Sequence, residues 1–308
     1  MRTGMGCDMK GAFLWGMALL LASCSLLSGG KGGHKREAHV VTVDNNVCKR
    51  LKGRVVIYGV FVDSKIGGVW STHDIRSTLD SVHVAADWIM AQAKDRGVEL
   101  DIVVASHEKG GVVPVRSELP RGGLGGLLHG MNPASSLDRW ADKACRQVQY
   151  AFPRDTARIT LAKHAPKDRE RLIAALRDRY GTDNVALILF INNYYGSETS
   201  VAMHTGSTTA IEYATVAFKR PAVIAHEFLH LFGALDLYVT PYDDKKQAEK
   251  RKRFAMERFP KEVMAFPFRG LDSLEIGTLT EYLTGWRREP LPEDEVLLTG
   301  GKVRLARY

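Results

Sequence analysis

His226-Glu227-Phe228-Leu229-His230-Leu231-Phe232-Gly233-Ala234-Leu235-Asp236 has the form HExxHxxGxxD. On a helix, residues four apart lie one turn above the other on the same face, so His226 and His230 can present both imidazoles to a single tetrahedral ion. Glu227 then stands beside that ion, where a carboxylate can take a proton from a metal-bound water. Ala222, Val223, Ile224, Ala225, Phe228, Leu229, Leu231 and Phe232 leave the helix apolar on nearly every face, which predicts a buried element. Buried imidazoles and a buried carboxylate are costly unless paired, hydrogen-bonded or metal-bound. Gly233 can adopt the left-handed conformation that ends a helix, turning the chain back so that Asp236 arrives as a third ligand. The stretch therefore predicts a catalytic Zn2+ site on a core helix.

These residues resemble the long motif of the metzincin clan of zinc peptidases, whose last ligand is usually histidine. The aspartate ending is similar to the snapalysin-type minority. The resemblance is specific over residues 219–286 and implies an α+β, two-lobed peptidase: a twisted mixed β-sheet with flanking helices, an active-site helix and a methionine-containing Met-turn. Glu262-Val263-Met264-Ala265-Phe266-Pro267 matches that turn, with Met264 as an apolar floor rather than a ligand. Some clan members carry an oxyanion-stabilising tyrosine two residues after the methionine; here that position is Phe266, which leaves Tyr238 or Tyr242 as substitutes. Residues 272–286 have helical spacing and match the clan's C-terminal helix. The implied activity is a zinc-dependent endopeptidase acting on polypeptide, with His226, His230 and Asp236 on the metal and Glu227 as the catalytic proton carrier. An anionic ligand leaves the metal unit less positive than three imidazoles would, which predicts a pH optimum toward neutral or above.

A rival arrangement joins HExxH to a glutamate on a later helix, for which Glu249, Glu257, Glu275 and Glu281 qualify by distance alone. It gives Gly233, Asp236 and Met264 no role. Two other readings keep the metal: a zinc-binding envelope lipoprotein whose cleft holds a partner without catalysis, and an amidase acting on cell-wall peptides. The intact Glu227 argues against the first, because a binding role needs ligands but no proton shuttle.

Residues 11–23 form an apolar run of signal-peptide length after Lys10, too short for an ordinary membrane span. The run ends in Leu21-Ala22-Ser23-Cys24, similar to a bacterial lipobox, so residues 1–23 read as a lipoprotein signal peptide and Cys24 as the lipidation site. Each buried acyl methylene contributes about 0.8 kcal/mol, so several chains anchor a protein stably. This predicts a cell-envelope protein on the membrane through its lipid, and Ser25 is compatible with the outer membrane. Residues 24–52, with Ser28-Gly29-Gly30-Lys31-Gly32-Gly33, read as a lipidated tether, and residues 53–308 as one metzincin-like peptidase domain, monomeric. With Cys7 removed and Cys24 acylated, Cys48 and Cys145 remain; an oxidising compartment lets them form one disulfide or stay free. The sequence around Cys48 does not match a cysteine latency switch.

The net charge is +8, and removal of residues 1–23, which carry Arg2, Lys10 and Asp8, leaves +7. Such a surface suits anionic lipid or acidic substrates; without a binding motif it does not indicate nucleic acid. Strands are predicted at residues 55–62, 99–106, 185–192, 201–204 and 211–218, and helices at 74–96, 135–152 and 167–180. Residues 200–205 are the candidate edge strand for pairing with an extended substrate, or a plain hairpin strand. The glycine-rich segment 121–130 reads as a mobile surface loop, and the charge-dense segment 243–258 as a solvated helix or insertion. His129, His164 and His204 stand isolated.

Overall fold

The computed structural model describes residues 36–37, 48, 50–107, 114–120, 122–124, 134–149, 159–160, 167–196, 198–205, 210–238 and 245–299. The stretch read as a signal peptide (residues 1–23), Cys24, His129, His164 and Tyr242 lie outside these residues. The main folded unit runs from Arg36 to Tyr308, and no helix among the described residues is long and apolar enough to cross a membrane.

The chain folds as α+β around a mixed sheet. In chain order its elements are β1 (Arg36–Glu37), β2 (Gly53–Asp63), α1 (Thr72–Asp95), β3 (Leu100–Ser106), β4 (Val115–Arg116), α2 (Ala134–Gln149), β5 (Ile159–Thr160), α3 (Asp168–Tyr180), β6 (Asn184–Ile191), β7 (Val201–Met203), β8 (Tyr213–Val216), α4 (Pro221–Leu231), α5 (Lys245–Arg258), α6 (Thr278–Leu283) and α7 (Glu295–Thr299). The main sheet has the order β3-β2-β6-β8-β7, with β4 beside the far end of β2, while β1 and β5 form a separate pair. Every pairing in the main sheet is parallel except that of β7, which runs antiparallel to β8 with Ala202 opposite Ala214. The short segment before α4 is thereby placed as an edge strand.

β2 (GRVVIYGVFVD) is rich in β-branched and aromatic residues, and eight consecutive positions are buried. A strand buried on both faces needs cover on both, and two helix pairs supply it: α1 with α4, and α2 with α3. α1 starts where the Ser71 side chain accepts from Asp74 N at 3.1 Å, and buries the stripe Ile75, Thr78, Val82, Ala85, Ala86, Ile89 and Ala93 at helical spacing. The second pair is tied to the sheet by charge. Arg169 of α3, with its side chain 3% exposed, reaches Asp138 at 3.1 Å and Asp142 at 2.8 Å on α2 and stacks on the Tyr213 ring at 4.5 Å. Asp138 also receives His204 Nε2 at 2.7 Å, so His204 serves the scaffold from a residue with φ of 64°.

Three expectations change. The tether ends earlier than residue 52. Cys48 and Leu51 are buried, Cys48 N donates to Glu212 at 3.0 Å, and Leu51 N donates to the Thr284 carbonyl at 3.0 Å. Of the two states that the sequence leaves open for Cys48 and Cys145, the free one is found: both are buried thiols. Cys48 Sγ faces the Val185 carbonyl at 3.2 Å beneath the sheet, while Cys145 sits in the buried face of α2. Glycine-rich residues 122–124 are pinned rather than mobile: Leu124 N donates to the buried Glu198 carboxylate at 2.7 Å, and a Cβ on Gly123 would meet that carboxylate at 2.0 Å. Finally, residues 272–286 are not one helix but a 3-10 turn (Leu271–Ser273), an extended link and the short α6. The break has a cause outside the segment, since Glu275 pairs with Glu262 in a parallel bridge.

The charge-dense segment forms α5, as its composition allows, yet its arginines are partly structural. Arg251 donates to the Leu297 carbonyl at 2.7 Å and Arg258 to Asp294 at 3.2 Å. The exposed residues Glu249, Lys250 and Arg253 then carry mixed charge.

Candidate metal centre

Pro221 occupies the first helical position of α4, where its missing N–H costs nothing. Residues from Ala222 to Leu231 are all buried, so His226, Glu227 and His230 sit inside the protein. Phe232 caps the helix, and Gly233 follows at φ 95°, the conformation that glycine adopts without strain. Ala234 N then closes back on the Leu229 carbonyl at 3.2 Å. This sharp stop returns the chain and places Asp236 against the two histidines.

His226 Nε2, His230 Nε2 and Asp236 Oδ1 form a triangle with all three sides 3.1 Å. Each histidine directs its other nitrogen at a backbone carbonyl, His226 Nδ1 at Val263 O (3.2 Å) and His230 Nδ1 at Ala234 O (2.8 Å). With both Nδ1 atoms donating, both Nε2 lone pairs face the same point beside a carboxylate oxygen. That arrangement is repulsive unless a proton or a cation lies there. Ligands about 2.0–2.1 Å from a tetrahedral zinc stand roughly 3.3 Å apart, so the three atoms and their chemistry fit Zn2+ with one position open. Among the described residues this is the one His/Cys/Asp/Glu cluster with metal-ligand spacing.

Protons can hold these groups together. Burial opposes charge on His230, but Asp236 beside it outweighs burial and raises its pKa to about 9. His226 is driven down, by burial first and then by the charge on His230. Burial also opposes ionisation of Asp236, yet His230 and the two imidazole contacts hold it well below the ordinary carboxylate range. Glu227 is pushed up to about 8 by burial, and its Oε2 has no hydrogen-bond partner among the described residues. A buried carboxyl with an unpartnered oxygen next to a convergent donor set is a costly arrangement that a bound cation and its water would satisfy.

Tyr238 completes the cluster. Its hydroxyl lies 3.3 Å from His226 Nε2, and its ring stacks on the His226 ring at 5.7 Å between centroids. Burial, then the charges of Asp236 and Glu227, raise the phenol's pKa, so it remains a donor at neutral pH. Met264 is fully buried, and its carbonyl accepts from Leu237 N at 3.1 Å, linking its turn to the segment that carries Asp236. Phe266 lies under Arg269 and offers no polar group.

The four rival glutamates lie elsewhere. Glu257 pairs with Arg253, Glu281 with Arg96 and Arg287, Glu275 is held at its backbone by Lys261, and Glu249 is exposed on α5. Sequence reasoning missed Glu262, which is fully buried beneath the turn; a lone acid before the apolar run Val263-Met264-Ala265-Phe266 was its only signal. Comparison with protein-family models, with curated proteins and with solved structures yields no match to this chain. The site therefore stands on its own geometry.

Proposed function

We propose that this chain is a zinc-dependent endopeptidase of metzincin-like architecture, held at the bacterial cell envelope by lipid on Cys24. The observation that carries the reading is the 3.1 Å triangle of His226, His230 and Asp236, with Glu227, whose Oε2 has no partner among the described residues, next to it in sequence. Zinc bound there would polarise a scissile carbonyl and acidify a water molecule.

The protein's own residues supply the rest. Glu227 accepts the water's proton and later delivers it to the leaving amine. The Tyr238 hydroxyl, held as a donor at the metal-facing nitrogen of His226, stabilises negative charge developing on the carbonyl oxygen. Strand β7, antiparallel at the sheet edge, offers an extended substrate an edge that no other strand among the described residues covers. Gly233 and the turn at Met264 support the metzincin-like reading, as does the order of strands and helices before α4.

Cleavage of a diverse peptide library by the signal-free protein, with and without zinc, tests the proposal. Zinc-dependent cleavage within extended peptides is expected. Zinc uptake without cleavage of any peptide would sink the endopeptidase reading, and release of stem peptides from purified sacculi alone would replace it with an amidase. For Tyr238→Phe, kcat is expected to fall about 100-fold with little change in KM or zinc affinity, in line with loss of one oxyanion donor. An unchanged kcat would remove Tyr238 from the mechanism.

A further inference from the structure

We infer that Glu262 is a positioning residue of the metal centre: its buried carboxyl fixes the turn whose Val263 carbonyl orients His226. The zinc arm of this inference rests on the metal reading above; the imidazole arm does not.

Glu262 has no solvent exposure, and no lysine or arginine pairs with it among the described residues. Its carboxyl accepts instead from Met264 N at 3.3 Å, from Gly277 N and from the Thr280 hydroxyl. Burial pushes its pKa to about 7 in spite of these donors, and Glu275 nearby adds to the rise. An acid kept in an apolar turn at this cost is best explained by the geometry that it imposes.

That geometry leads directly to the ligands. The residue after Glu262 supplies the carbonyl that accepts His226 Nδ1–H at 3.2 Å. The next one supplies the carbonyl that accepts Leu237 N, adjacent to Asp236. The chain around the carboxyl is held on other sides as well, since Val263 N donates to Glu275 O at 3.1 Å and Phe266 N to Glu262 O at 3.0 Å. Glu262 thus closes a frame that sets two ligands at once, and orienters of metal-bound histidines tune affinity strongly. Gly277 is part of the device. A Cβ there would lie 2.4 Å from Glu262 Oε2 and 3.0 Å from the Phe259 ring, so any larger residue displaces the carboxyl.

Two variants of the full-length chain test this, Glu262→Gln and Gly277→Ala, the second leaving the acid in the sequence but moving it. Zinc dissociation constants are measured by chelator competition, apo-protein melting by calorimetry, and the His226 Nδ1 proton by NMR, assigned through its loss in His226→Gln. Both variants are expected to bind zinc about 10- to 100-fold more weakly and to shift that resonance. A lower melting temperature with unchanged zinc affinity and an unmoved resonance would overturn the inference, leaving Glu262 as a brace for α6. If the wild type takes up no zinc, the metal reading fails and the resonance decides alone: a shift in the variants supports the role, and no shift overturns it. If Glu262→Gln does not fold, Gly277→Ala carries the same comparison.

Discussion

Glu227→Gln is expected to reduce kcat/KM by about 10²- to 10⁴-fold, the range that general acid–base groups supply, while zinc binds at full stoichiometry. The amide has nearly the shape of the acid but cannot accept the water's proton. A second effect runs the other way. In the metal-free protein burial raises the Glu227 pKa to about 8 from 4.5, so this group favours folding only while it stays protonated. Stability is lost as the pH rises from 4.5 through about 8, with an upper bound of roughly 4–5 kcal/mol at 1.36 kcal/mol per unit. The variant does not titrate, so above pH 8 its metal-free form should be more stable than wild type. Activity lost with stability gained marks a strained catalytic group. Retained cleavage, or a stability difference that does not grow with pH, would remove Glu227 from that role.

Zinc affinity should rise about tenfold for each pH unit between about 6.5 and 9, because one proton must leave for the metal to enter. That proton is on His230, whose pKa Asp236 raises from 6.5 to about 9 against the opposing effect of burial. His226 is driven down and is already neutral there. The same shift sets the sign for the metal-free fold. A raised histidine pKa contributes stability that is fully present below 6.5 and lost as the pH rises through 9. Stabilisation by added zinc should therefore grow across the window in which the metal-free protein weakens. Thermal melts at four pH values, with zinc and with chelator, measure both trends. Zinc stabilisation that is flat with pH or largest in acid would show that the triangle is a proton-held ion pair rather than a metal site. An optimum toward neutral or above for the proposed activity is consistent with the same balance.

Most of the sheet was legible because its signals are local. The β-branched runs at 55–62 and 185–192 can be buried only as central strands, and Pro221 with the apolar run after it predicts where α4 begins. The His226–His230–Asp236 cluster was legible too, since helical geometry places His226 above His230 and Gly233 offers the turn to Asp236. What failed depended on distant contacts. The helical spacing of 272–286 could not show that Glu275 would pair with Glu262 and that Gly277 would give its N–H to the same acid. The tether boundary failed because Cys48 and Leu51 are held by Glu212, Thr284 and Trp286, none of them near in sequence. Composition suggested a mobile glycine loop, but Glu198, more than seventy residues away, fixes Gly123 and Leu124.

The hold of Trp286 Nε1 on the Leu51 carbonyl at 2.6 Å spans 235 positions, and this has a consequence for the order in which the molecule matures. The lead-in to β2 is closed by residues far along the chain, and His226 is oriented by a carbonyl from another later segment, at Val263. Contacts of such long range delay folding until both ends are available. A chain cut before Val263 would have neither a closed lead-in to β2 nor an oriented His226. Such closure leaves the His226–His230–Asp236 cluster unassembled until the distant segments of the chain have met.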